Sequence, residues 1–297
     1  MLSAEAQGMK DLLFSFKGSG AVATVEDQRM ALEALAALSP MPAGVHAEMV
    51  TIGGMRAELI RAEAPRSELT LLYLHGGAYS AGSINTHRSL VGRISLAAGI
   101  QAYLPEYRLA PEHPFPAAID DAVAAYRGLL AQGVDPASLI VGGDSAGGGL
   151  TLALMLKLKE LDLPLPLRIV LLSPWTDLTG SGGSVVDRAE ADPWLDAESL
   201  RPAALVYLGE ADPTNPLASP LFGDLVSVPP SLIVVGGDEI LLDDSVRLNS
   251  ALTEVGSPSR LLIAEGMWHV YPAFPGMPEA ERAIEEIARF LEEASAS

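Results

Sequence analysis

The chain has 297 residues, 49% of them apolar, with 19 Lys and Arg against 38 Asp and Glu, a formal net charge of −19, and no cysteine. That length holds one large α/β domain or two small ones. The charge repels phosphate backbones and anionic lipid surfaces, arguing against nucleic-acid and membrane partners, and the absence of cysteine excludes disulfides, thiolate nucleophiles and cysteine-ligated zinc.

The first residues, MLSAEAQGMKDLLFSF, have no basic segment followed by an apolar core and a small-residue cleavage site, so a cytoplasmic location is expected. No uninterrupted apolar run reaches the roughly 18 residues of a membrane span, and a soluble protein is expected. Residues 1–40 read as two helices with a GSGA break at 18–21. Residues 45–52 and 55–62 read as strands joined by Gly53-Gly54, a two-residue hairpin signal, so the sheet begins antiparallel. Further strands are expected at 69–74, 100–104, 138–143, 167–173, 231–236 and 260–264, with helices between them. Within 116–133, Ile119, Val123, Tyr126 and Leu130 share one helical face, and Ile284, Ile287 and Leu291 repeat the pattern in the tail. This alternation predicts a single α/β domain, with a mostly parallel central sheet and helices on both faces. Residues 1–40 and the Gly- then Pro-rich stretch 176–218 break the rhythm and read as a lid.

Residues 141–150 read VGGDSAGGGL. Glycines beside a turn suit either a phosphate cradle or a nucleophile on a sharp bend. A phosphate loop needs a lysine that this stretch lacks, and Gly18-Ser19-Gly20 has no preceding strand to make a dinucleotide fingerprint. Gly143-Asp144-Ser145-Ala146-Gly147 is instead G-x-S-x-G, set between a strand and a helix as a nucleophilic serine requires.

A serine hydroxyl also needs a general base, an acid to orient that base, and donors for the oxyanion. Among five histidines none pair at the spacing of a helical zinc site, so no metal is expected, and the chemistry needs no cofactor. His269, in EGMWHVYP between the last strand and the last helix, emerges at the same end of the sheet as Ser145 and is the expected base. His75 reads as structural; it precedes Gly76-Gly77-Ala78, whose small residues leave backbone N–H groups free for an oxyanion. His46, His87 and His113 read as surface or packing residues. Asp238 and Glu239 both follow the strand at 231–236 and either can orient the histidine. Trp175, Asp177 and residues 108–116 read as loop-fixing, and Tyr79, Trp194, Tyr207 and Leu208 as walls of an acyl pocket.

HGGA at 75–78, YRLAPEHPFPAA at 107–118, GDSAGG at 143–148, SPWTDL at 173–178, EILLDD at 239–244 and WHVY at 268–271 occur in this order. The combination resembles the hormone-sensitive-lipase-like α/β-hydrolases, the bacterial family IV carboxylesterases, from about residue 40 to the end. The resemblance implies an α/β-hydrolase fold with a helical cap: residues 1–40 as its N-terminal part, and 41–297 as the catalytic domain with a cap insertion at about 176–218. It makes Gly77, Ala78 and Ala146 the oxyanion donors. The family usually has HGGG, and the methyl group of Ala78 is tolerated if its φ stays negative. The family's acid is followed four residues later by a second Asp. Glu239 has Asp243 there while Asp238 has Leu242, so the register favours Glu239, with Asp238 the alternative. The resemblance further implies a serine carboxylesterase that hydrolyses short-chain esters through an acyl-enzyme, without a cofactor, and a homodimer through an edge strand and the last helix. An amidase or peptidase, or a receptor that binds without turnover, is the alternative on the same fold.

Overall fold

A computed structural model describes residues 2–17 and 24–293; the GSGA break expected at 18–21 lies outside the described residues. The elements, in chain order, are α1 (Ala4–Phe16), α2 (Val25–Ala36), β1 (Val45–Ile52), β2 (Met55–Ala62), β3 (Thr70–Leu74), α3 (Ile84–Ala98) and β4 (Gln101–Pro105). They continue with α4 (Ala117–Ala131), β5 (Leu139–Asp144), α5 (Ala146–Glu160), β6 (Arg168–Leu172), α6 (Ser184–Asp187), α7 (Ala197–Leu208), β7 (Ser231–Gly236), α8 (Leu242–Glu254), β8 (Ser259–Ala264) and α9 (Pro278–Glu292). Side-chain caps start several helices: Ser3 accepts from Ala6 N, and Thr24–Asp27 and Ser83–Thr86 form capping boxes.

All eight strands form one sheet in the order β1-β2-β4-β3-β5-β6-β7-β8. The β1–β2 hairpin turns at Gly53 and Gly54, both at positive φ, a conformation open to glycine at little cost. β2 runs antiparallel to β4, and every pairing from β4 through β8 is parallel. Successive strand residues point to opposite faces. Leu72, Leu74, Val141 and Leu171 join one apolar cluster with α4 and α5, while Leu71, Tyr73, Ile140 and Val170 join another with α3 and α9. The parallel strands are thus apolar on both faces, which is why they read as unbroken apolar runs.

From β3 the chain steps outward to β4 and then returns to the other side of β3 as β5. The carboxyl ends of β3 and β5 therefore flank a point where the winding direction reverses, the place where open α/β sheets bind ligands. Both helices before the sheet are fastened to loops near it. Lys17 Nζ, just beyond α1, donates to the carbonyls of Ala189 and Asp192 at 2.8 and 2.5 Å, and Arg29 of α2 donates to those of Ser80 and Ala110 at 2.7 and 3.0 Å. Among the described residues no helix is long and apolar enough to cross a membrane.

Candidate active site

Ser145 joins β5 to α5 with φ 51° and ψ −122°. Two glycines make this turn sterically possible. A Cβ on Gly143 would lie 2.4 Å from the Gly147 carbonyl oxygen, and one on Gly147 only 2.0 Å from that of Leu74. Ser145 N–H donates to Leu172 O at 2.8 Å, and its own carbonyl accepts from Trp175 N at 2.9 Å, so the serine is clamped against the end of β6. Ala146 is the first residue of α5, where backbone N–H groups have no partner within the helix and carry its positive dipole end.

The same β6 end reaches the expected acid and base. Ser173 Oγ donates to Glu239 Oε2 at 2.7 Å and accepts from Val270 N at 3.0 Å. Gly236 N adds a bond to Glu239 Oε2 at 2.9 Å, and His269 Nδ1 lies 3.1 Å from Glu239 Oε1. Glu239 is fully buried and His269 is 5% exposed. With Nδ1 donating to the carboxylate, Nε2 is left as the basic nitrogen. Burial alone pulls the imidazole pKa down, but the hydrogen bond and charge of Glu239, with the charges of Asp192 and Asp144, hold it above the ordinary histidine value. Asp238 turns elsewhere, into an ion pair with Lys10 at 2.6 Å.

The loop after β3 carries the expected oxyanion donors. Gly77 has φ 116°, and Ala78 has φ 52°. The condition of a negative φ at Ala78 is therefore not met: Ser80 N and Ala81 N both donate to Gly77 O, at 3.0 and 2.8 Å, and close a tight turn through Ala78. Of the seven non-glycine residues at positive φ among the described residues, Ala78, Tyr79, Ser145, Ser173 and Val270 belong to these loops, so backbone strain concentrates at one end of the sheet. His75 is buried and stacks on Tyr107 with ring centroids 4.2 Å apart. Burial, with the neighbouring His87, lowers its pKa to about 3, so it stays neutral, in keeping with a structural reading.

His87, expected as a surface or packing residue, is packed, and it has a charged partner that the sequence did not suggest. Its Nε2 lies 3.2 Å from Asp144 Oδ2, and Asp144 Oδ1 accepts from Tyr73 OH at 2.9 Å and Gly76 N at 3.1 Å. Burial pushes the Asp144 carboxyl up, but His87 and Tyr73 outweigh it and hold it below the usual carboxylate range. His46 and His113 are exposed. Sequence reasoning also missed Ser173 and Asp192. Asp192 is buried, and its Oδ2 accepts from Ile240 N at 2.9 Å, beside Glu239. Each opens a short motif, SPW and DPW, but nothing local says what they touch.

The four expected pocket residues do not form one wall. Tyr79 and Tyr207 are each 1% exposed and stack at 3.7 Å in the same cluster as Leu208, whereas Trp194 packs edge-on against Phe274. None of them lines the cavity of about 100 Å³ between Trp175, Leu178, Val185, Leu200 and Arg201; Trp175 is also the residue whose N–H donates to Ser145 O.

Residues 71–273 match the model of a family described by the alpha/beta hydrolase fold. An acetyl-hydrolase of Streptomyces hygroscopicus is 43% identical over 249 residues, 84% of this chain and 83% of that one. A crystal structure of EstE5 soaked by p-nitrophenyl butyrate superposes with a TM-score of 0.95 at 43% identity, covering 99% of this chain and 100% of that one. An esterase from the bacterial hormone-sensitive lipase family gives a TM-score of 0.95 at 39% identity, covering 99% of both chains.

Proposed function

The chain belongs to the hormone-sensitive-lipase-like α/β-hydrolases, the bacterial family IV carboxylesterases, and is a carboxylic ester hydrolase; on that premise we propose that Ser145, His269 and Glu239 form its catalytic triad and that it hydrolyses short-chain esters through an acyl-enzyme. The observation that carries this reading is the fastening of Ser145, through residues 172–175, to the buried His269–Glu239 pair at one end of the sheet.

In this mechanism Ser145 Oγ attacks the ester carbonyl while its proton passes to His269 Nε2. Glu239 keeps the other ring nitrogen protonated and stabilises the imidazolium that forms. The carbonyl oxygen gains negative charge and accepts hydrogen bonds from the backbone N–H groups of Gly77, Ala78 and Ala146, the last strengthened by the α5 dipole. His269 returns its proton to the departing alcohol, leaving the acyl group on Ser145. Water, deprotonated by His269, then attacks the acyl carbonyl and restores the serine. The helices α1 and α2 and residues 176–218 act as the cap over this site.

Short acyl chains are supported by the acetyl-hydrolase name of one relative and the butyrate ester soaked into another. Pairing of two copies along β8, which is an edge strand, and α9 belongs to the same reading; light scattering on the eluting peak would show a dimer mass. Ser145→Ala is expected to lower kcat on p-nitrophenyl butyrate by about 10⁵- to 10⁶-fold, and labelling by an organophosphate to be lost with it. A rate profile over p-nitrophenyl esters that peaks at long acyl chains would overturn the chain-length part; a Ser145→Ala enzyme with near-native kcat would overturn the triad.

A further inference from the structure

We infer that His87 is a positioning residue of this site: paired with Asp144, it locks the loop that carries Gly77 and Ala78 against the turn that carries Ser145. This rests on the triad and oxyanion reading above and adds to it a second imidazole–carboxylate pair.

The Asp144 carboxylate lies directly under the loop. A Cβ on Gly76 would come within 2.2 Å of Asp144 Oδ2, so glycine at that position is what lets the carboxylate approach. Gly76 N–H donates to Asp144 Oδ1 at 3.1 Å and lies 3.3 Å from His87 Nε2, so loop, carboxylate and imidazole meet at one backbone amide. The ring is oriented from its far side. Thr86 Oγ1 donates its single hydrogen to Ser83 O at 2.9 Å, and therefore accepts from His87 Nδ1 at 2.7 Å. Nε2 faces both Asp144 Oδ2 at 3.2 Å and Gly76 N at 3.3 Å, so the ring bridges the carboxylate and the loop. The chain of contacts runs on to α2, because Ser83 Oγ donates to Glu33 Oε1 at 2.5 Å.

Two physical needs make the pair consequential. Ala78 and Tyr79 both have positive φ, a geometry that persists in non-glycine residues only when the surroundings over-determine it. In addition, Asp144 is 3% exposed and adjoins the nucleophile, so its negative charge would oppose an oxyanion unless a donor neutralises it.

The test compares His87→Ala, His87→Gln, Asp144→Asn and the double variant His87→Ala/Asp144→Asn. Each is assayed with p-nitrophenyl butyrate and with a trifluoromethyl ketone, which forms a tetrahedral adduct on the serine. His87→Ala is expected to lower kcat about tenfold to a hundredfold with KM within about twofold, and to weaken the ketone by the same factor, since both report oxyanion stabilisation. The glutamine amide both donates to Asp144 and accepts from Gly76, so His87→Gln is expected to recover to within about threefold of the native enzyme. The double variant is expected to be no worse than the poorer single one. Native kcat and ketone affinity in His87→Ala, a glutamine variant as poor as alanine, or single losses that multiply would each overturn the inference. Should the alanine variant not fold, Asp144→Asn decides alone, because native kcat and ketone affinity there overturn the inference equally. Ser145→Ala under the same assay separates this from failure of the triad reading, which native turnover in that variant alone would signal.

Discussion

At Ser145, φ 51° and ψ −122° are maintained because glycines at 143 and 147 leave room for two carbonyl oxygens and nothing larger. Gly147→Ala is therefore expected to cost at least about 2 kcal/mol in urea unfolding, since its methyl would overlap backbone that cannot yield. The opposite holds at Ala78, whose Cβ sits at φ 52°. Ala78→Gly is expected to raise stability by roughly 0.5–1 kcal/mol, and a lower urea midpoint would contradict the strain argument. Glu239 and Asp238 provide the sharpest comparison. Glu239→Gln is expected to lower kcat by about 10⁴-fold, as loss of a triad acid does, whereas Asp238→Asn breaks only the partly exposed pair with Lys10 and is expected to keep near-native kcat. Ser145 was legible because its signature is local, a motif between strand and helix. His87 was not: its partner Asp144 is 57 residues away, and no residue near His87 carries a trace of it.

Elements at the carboxyl end of the sheet are joined by Asp192, which sits between α6 and α7. One of its carboxylate oxygens accepts from Trp194 and Leu195 N–H groups, the other from Ile240 N, and its backbone carbonyl accepts from Lys17. The inserted segment, the turn bearing Glu239 and the end of α1 thus converge on one residue. Its negative charge also contributes to the raised pKa of His269. Asp192→Asn keeps the shape and removes the charge, so the imidazolium is less favoured and the base is free at lower pH. The acidic limb of kcat/KM against pH is expected to move downward, and an unmoved limb would show that Asp192 does not act on His269. The helices and strands themselves were mostly legible, with boundaries within a residue or two, because their periodicity records which face is buried. Residues 176–218 were legible only as a break in that periodicity, since contacts that fasten them come from Lys17 at the end of α1 and from the turn after β7.

For the whole molecule, the buried ionisable groups set how stability varies with pH. Asp244 is buried under the start of the inserted segment, accepting from Thr176 N and Asp177 N, and burial raises its pKa to about 7. A carboxyl whose folded pKa exceeds its unfolded value of about 3.9 binds its proton more tightly when folded, so its contribution is present at low pH and is lost as pH rises through about 7. His269 and Asp192, also raised, act with the same sign. Asp144 and Asp177, both lowered, stabilise above the ordinary carboxylate range and lose that contribution as pH falls through their folded values. Tm is expected to fall between about pH 5 and 8, and Asp244→Asn to flatten that decline; an unchanged slope would remove Asp244 as its source. By itself the sequence determined the alternation of strands and helices, the hairpin at Gly53-Gly54 and the turn at Ser145, because each depends on residues adjacent in the chain or repeating at a fixed period. Only the tertiary structure decided that Glu239 rather than Asp238 faces His269, that Ala78 sits at positive φ, that Trp194 stands apart from Tyr79 and Tyr207, and that His87 meets Asp144. These depend on how the strand order brings distant loops together, and no local pattern encodes the distance between side chains that approach from different strands.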